Sequence, residues 1–202
     1  MHRNKVLIPI LILALFTTGI FANELQIGKK APAFTLTDVQ GQVHNLKDYR
    51  GKLVVLEWIN YDCPFVKKHY NSGNMQSLQK KYTAQDVVWL VINSSAPGKQ
   101  GNFNSEEVLK RSSDQGASFT AYLQDSDGKV GKNYGAKTTP HMFVINGKGK
   151  LMYMGGIDNV KSTNVKDIAE ATNYVAAALD ALLIGEKVDV TSAKPYGFSV
   201  KY

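Results

Sequence analysis

The order of apolar segments and breaks predicts an α/β fold: a central mixed sheet, parallel at its core, flanked by helices. Three observations carry this. Residues 53–59 and 87–92 are apolar almost throughout, as strands buried on both faces are. Segments with helical spacing stand between the strand-like ones, and strand–helix–strand units imply parallel neighbours joined by crossovers. Hairpin signals lie at both ends of the series, which adds antiparallel strands to the parallel core.

Residues 34–37 alternate like a strand, 38–41 read as a turn and 42–46 as the returning strand, an N-terminal β-hairpin extension ahead of the core. Residues 64–82 place Phe65, His69, Ser72, Met75, Leu78 and Tyr82 near one face, so one helix is expected there. Residues 93–104, rich in Ser, Gly, Asn and Pro, read as a loop. Ser105-Glu106-Glu107 opens a helix with acids in its first turn, ending near Gly116. Residues 119–123 form a third strand, followed by a turn at 125–128. Residues 142–145 and 151–154 read as a hairpin across Asn146-Gly147. Residues 165–183 are expected as one long alanine-rich helix stopped by Gly185, and 185–202 as a tail with Pro195 and Gly197. There is no internal repeat, and residues 23–202 read as a single domain.

Composition narrows the function. The chain has 202 residues, 44% apolar and 10% aromatic, which excludes a disordered chain, and one cysteine, which excludes a disulfide scaffold. Residues 1–22 have a short basic start, an apolar run at 6–16 and a small residue at Ala22, the pattern of a secretory signal peptide. The alternative is an uncleaved anchor, but the run is short for a span and contains Pro9. Export is therefore expected, with no stable membrane insertion once the leader is cut. Removing it takes two of the 24 basic residues and none of the 17 acidic ones, so the remaining positive charge is mild. Its basic pairs are scattered along the chain, which argues against nucleic acid as a partner.

In an exported chain a leftover cysteine suggests a reactive thiol or an intermolecular partner. Cys63 closely follows a buried strand, and Pro64 is favoured at the first position of a helix. Cys63 would then sit at the helix N-cap, facing unpaired N–H groups that stabilise a thiolate, the nucleophilic form. Lys67 and Lys68 could assist and Asp62 would oppose; a small buried hydrophobe is the bland alternative. Glu57 interrupts an apolar strand six residues earlier: buried, it could hold or pass a proton, while on an edge strand it would simply face water. Thr139-Pro140 precedes a strand and fits either a cis bond in a tight turn or an ordinary trans turn; His141 follows directly. Cys63, Met142 and the histidines His44, His69 and His141 could in principle take a soft metal, but no paired ligand spacing exists, so no metal site is expected. No phosphate-binding glycine loop is present, and no cofactor is expected.

With these residues the chain resembles the thioredoxin-like superfamily. More closely it resembles the redoxin group that includes alkyl hydroperoxide reductase/thiol-specific antioxidant proteins and thiol-disulfide oxidoreductases. The similar stretches are Ile27 through Leu36, Tyr49-Arg50-Gly51-Lys52, Asp62-Cys63-Pro64-Phe65-Val66-Lys67 and Lys137 through Ile145. The resemblance implies a thioredoxin-like fold in which Glu57 is the buried acid and Cys63 the redox cysteine. Pro64, Thr139, Pro140 and His141 would then meet a thiol or disulfide partner, either a protein or a small thiol reductant. It also implies a hydroperoxide as an alternative substrate. The departures matter. Val66 stands where thioredoxins have a second cysteine, so no internal disulfide can form. Asn60 and Leu56 stand where peroxiredoxins carry a threonine and a proline. A peroxiredoxin-like branch with a similar turn often has further cysteines, one just before the turn and one in its tail; Asn60 and Phe198 occupy those places here. With the leader, the resemblance thus implies an exported oxidoreductase with one redox cysteine, in a periplasm or other extracytoplasmic space. Its rivals are an antioxidant peroxidase and a non-enzymatic module binding a soft metal or a protein thiol.

Overall fold

The computed structural model describes residues 25–202; the expected leader lies outside them. The strands are β1 (Thr35–Asp38), β2 (Val43–Asn45), β3 (Val54–Trp58), β4 (Val88–Asn93), β5 (Ala121–Gln124), β6 (Thr138–Thr139), β7 (His141–Ile145), β8 (Leu151–Gly155) and β9 (Phe198–Ser199). Seven of them make one sheet in the order β2-β1-β5-β4-β3-β7-β8, and β6 pairs separately with β9. The inner strands β3, β4 and β5 are parallel, while β7 and β8 on one side and β1 and β2 on the other each run antiparallel to their inner neighbour. This is the mixed, helix-flanked sheet expected.

Both faces of the inner strands are covered, which is why β3 and β4 tolerate no exposed residue. Alternate side chains serve two cores. Val55, Ile59, Trp89, Val91 and Val144 face α1 (Pro64–Asn71), α2 (Asn74–Thr83) and, further on, α5 (Tyr174–Leu183). Val54, Leu56, Trp58, Leu90 and Phe143 face the opposite way, where α4 (Lys129–Asn133) contributes Val130. The acid-led helix is α3 (Ser105–Asp114), started by the Asn104 side chain accepting the Glu107 N–H at 2.9 Å.

Four expectations are corrected. The helix expected over 64–82 is two helices, because Ser72 ends the first and Gly73, at φ 73°, turns the chain before Asn74 starts the second. Residues 165–183 are not one helix either. A 3-10 turn at Val165–Ile168 is followed by α5, whose start is set by the Asn173 side chain accepting the Ala176 N–H at 2.8 Å. Alanine content hid that cap. The short α4 and the 3-10 turn Leu46–Tyr49 were not foreseen from periodicity, being too short to show it. The tail is not plain coil: it returns to pair through β9 with β6.

Candidate active site

Cys63 lies at the junction of strand and helix. Its backbone is extended (φ −70°, ψ 124°), it is the N-cap of α1, and Pro64 takes the first helical position. The turn is fixed from within: Cys63 N–H donates to Asn60 O at 2.9 Å, and Asp62 N–H to Asn60 Oδ1 at 2.9 Å. The thiol is fully buried. It donates to the carbonyl of Thr139 at 3.0 Å, and its sulfur accepts the N–H of Phe198 at 3.4 Å. The Thr139–Pro140 peptide is cis. Residues 76 positions apart thus meet at the sulfur, and the tail closes over them. The Thr139 hydroxyl is buried with no hydrogen-bond partner among the described residues.

Two of the three charges expected to bias the thiol are engaged elsewhere. Asp62 pairs with Arg111 at 3.1 Å. Lys68 is buried on the far side of α1, donating to Val160 O at 3.2 Å with Asp158 3.8 Å away. Lys67 is exposed. No group of three metal-ligating side chains occurs among the described residues. The histidines named for a metal are far apart in role. His44 contacts Asp38 at 2.9 Å, and His69 faces Tyr196 Oη at 3.3 Å. His141 is buried against Phe143, and its Nδ1 accepts the Lys137 N–H at 3.2 Å. Burial, and then the Lys137 charge, hold the His141 imidazole down at about 3, so it is neutral.

Glu57 is not on an edge. It sits in β3 between β4 and β7, opposite Met142, and is fully buried. Its Oε2 accepts Trp89 Nε1–H at 2.7 Å and Gln79 Nε2–H at 3.2 Å, and its Oε1 accepts the Tyr70 hydroxyl at 3.0 Å. Burial raises its pKa to about 7 against the opposing pull of these donors. The carboxyl therefore exchanges a proton near neutrality. It belongs to the same face of the sheet as Cys63, under α1, which begins at Cys63 and carries Tyr70. The Cys63 thiol is not among its hydrogen-bond partners.

Sequence reasoning did not find the cradle of Tyr70, Gln79 and Trp89, nor the cluster of Lys68, His69, Asp158 and Tyr196 that anchors the tail. The second had a faint signal: a lysine and a histidine side by side where an amphipathic helix should bury apolar residues.

Comparison with known proteins places the chain in a family and supports its fold. The AhpC/TSA family profile matches residues 27–154. The thiol-disulfide oxidoreductase ResA of Bacillus cereus is 28% identical over 181 residues, covering 84% of this chain and 95% of that protein. ResA of Geobacillus thermodenitrificans is 30% identical over 153 residues, covering 73% of this chain and 82% of that one. The crystal structure of an uncharacterized conserved protein from Geobacillus kaustophilus superposes with a TM-score of 0.75 at 30% identity, over 89% of this chain and 94% of its own.

Proposed function

Since the chain belongs to the AhpC/TSA family and is an oxidoreductase of thioredoxin-like fold, we propose that it catalyses thiol–disulfide exchange through Cys63 alone. The observation that carries this is the contact of the Cys63 sulfur, at a helix start, with the Thr139 carbonyl beside Pro140. The Cys63 thiolate attacks a disulfide R–S–S–R′. A mixed disulfide Cys63–S–S–R forms, and R′–S⁻ leaves and takes up a proton. An external thiol R″–SH then attacks the R sulfur, which frees Cys63 and yields R–S–S–R″. Electrons balance without a second cysteine in this chain, consistent with Val66 in the place of one.

Thr139 and Pro140 present main chain to the partner, and Pro64 holds the helix start open to it. His141 supports the loop from behind through the Lys137 N–H rather than touching the partner. Glu57, titrating near neutrality, stores the proton that the thiol gives up. The partner is a protein thiol or disulfide, or a small thiol. The chain works as a single domain, residues 23–202, exported after loss of its leader. Among the described residues no helix is long and apolar enough to cross a membrane.

The experiment is to mix the reduced protein with a protein disulfide and trap the adduct for mass spectrometry. A mixed disulfide at Cys63, with turnover abolished in Cys63→Ser, supports the proposal; turnover retained in that variant ends it. Sulfenic acid formed faster with hydroperoxide than mixed disulfide with any disulfide would favour the peroxidase instead.

A further inference from the structure

We propose that the C-terminal segment, residues 195–202, is an internal occupant of the partner site, a strap that must lift before Cys63 can react. This rests on the reading of Cys63 as the reacting group and adds what governs access to it.

The strap occupies the main-chain edge that a partner would need. β9 pairs antiparallel with β6, Phe198 opposite Thr139 and Ser199 opposite Thr138. The Phe198 N–H reaches the sulfur itself at 3.4 Å, and the thiol hydrogen is given to Thr139 O at 3.0 Å. The sulfur is 0% exposed in this arrangement. Exchange requires a line of three sulfurs, the attacked one in contact with Cys63 Sγ. No disulfide can take that position while residues 197–199 are in place, so the observed state is closed.

The strap is held firmly at its ends and lightly over the thiol. Upstream, the Tyr196 hydroxyl donates to the buried Asp158 carboxylate, and Ala193 N–H donates to Met154 O at 3.2 Å. Downstream, Val200 N–H donates to Lys137 O at 3.1 Å, Ala96 N–H to Lys201 O at 2.8 Å and Tyr202 Oη to Ala136 O at 2.8 Å. Between these anchors the strand is two residues long, and both are exposed. Phe198, an aromatic residue, leaves 39% of its surface in water. Few buried contacts and solvent-exposed backbone bonds are the marks of a segment that opens locally. Gly197 is the pivot. Its φ is +130°, and a Cβ there would overlap the Thr139 carbonyl oxygen.

The test is the rate at which iodoacetamide alkylates Cys63 in the full chain, compared with Gly197→Ala and Val200→Pro. The first forces the strap off Thr139; the second removes one N–H anchor without touching Cys63. Circular dichroism checks that each variant is folded, and either folded variant suffices. The strap predicts alkylation at least tenfold faster in Gly197→Ala and several-fold faster in Val200→Pro. Folded variants alkylated at the wild-type rate would overturn it. Turnover with glutathione disulfide separates the two ideas. Faster alkylation with no exchange in any of the three chains keeps the strap and removes the redox reading. Exchange in the wild-type chain, with equal alkylation in all three, keeps the redox reading and removes the strap.

Discussion

Glu57→Gln isolates the energetic cost of the buried acid. Glu57 is raised by burial from 4.5 to about 7. At about 1.4 kcal/mol per tenfold change in proton affinity, that is about 3 kcal/mol. The sign follows from where protons sit. Below pH 4.5 the carboxyl is protonated folded and unfolded, and contributes nothing. From there to about 7 the unfolded chain loses its proton while the folded chain keeps it, so stability falls as pH rises, at up to about 1.4 kcal/mol per pH unit. Above that window both states are ionised and the full cost remains. The glutamine does not titrate, yet its amide can keep the cradle: its oxygen accepts from Trp89 and Gln79, and its NH₂ donates to Tyr70 Oη. Urea unfolding of both proteins between about pH 5 and about pH 8 reads the difference, with any constant packing offset cancelling. The variant should gain on wild type up to about pH 7 and then level off, by roughly 2–3 kcal/mol between the two ends. A difference flat in pH, or one that grows in favour of wild type, would refute the argument. The same substitution should slow exchange at neutral pH if Glu57 stores the thiol proton.

Three further outcomes are expected. Gly73→Ala should cost about 1 kcal/mol, read as a lower urea midpoint, because φ is 73° and a Cβ there meets nothing within 4 Å, which leaves backbone strain as the sole cost. Tyr196→Phe should cost about 1–3 kcal/mol in thermal unfolding, because the buried Asp158 carboxylate loses its hydroxyl donor. The imidazoles of His69 and His141, held chiefly by burial at about 4 and about 3, should show flat NMR shifts from about pH 5 to pH 8. Folding binds fewer protons there than the unfolded chain does, so stability falls as pH drops below 6.5. A midpoint near 6.5 at either ring would contradict the burial described.

The sheet was legible in the sequence because β3 and β4 are so uniformly apolar that only a doubly covered position suits them. Cys63 and Pro64 were legible too, since a proline just after a cysteine marks a helix start without help from distant residues. Glu57 was visible as an anomaly, but its burial was not, because Tyr70, Gln79 and Trp89 come from other elements. Helix breaks at Gly73 and Asn173 were missed for one reason: side-chain spacing continues through both, while a left-handed turn and a side-chain cap interrupt the backbone. The return of the tail to β6 was illegible. Two-residue pairing over a sequence separation of about sixty leaves no periodic trace, and Tyr196 reads as an ordinary aromatic until Asp158 is beside it.

The alternation of β3 has a consequence for how such a chain can change over generations. Val55 and Glu57 look toward the thiol, while Val54, Leu56 and Trp58 look away, so the same five-residue strand is a wall between two rooms. Substitutions in the far room can alter how firmly the wall stands without altering what happens on the near side. Robustness and chemistry can therefore drift separately, one set of neighbours to each, coupled only through the backbone they share.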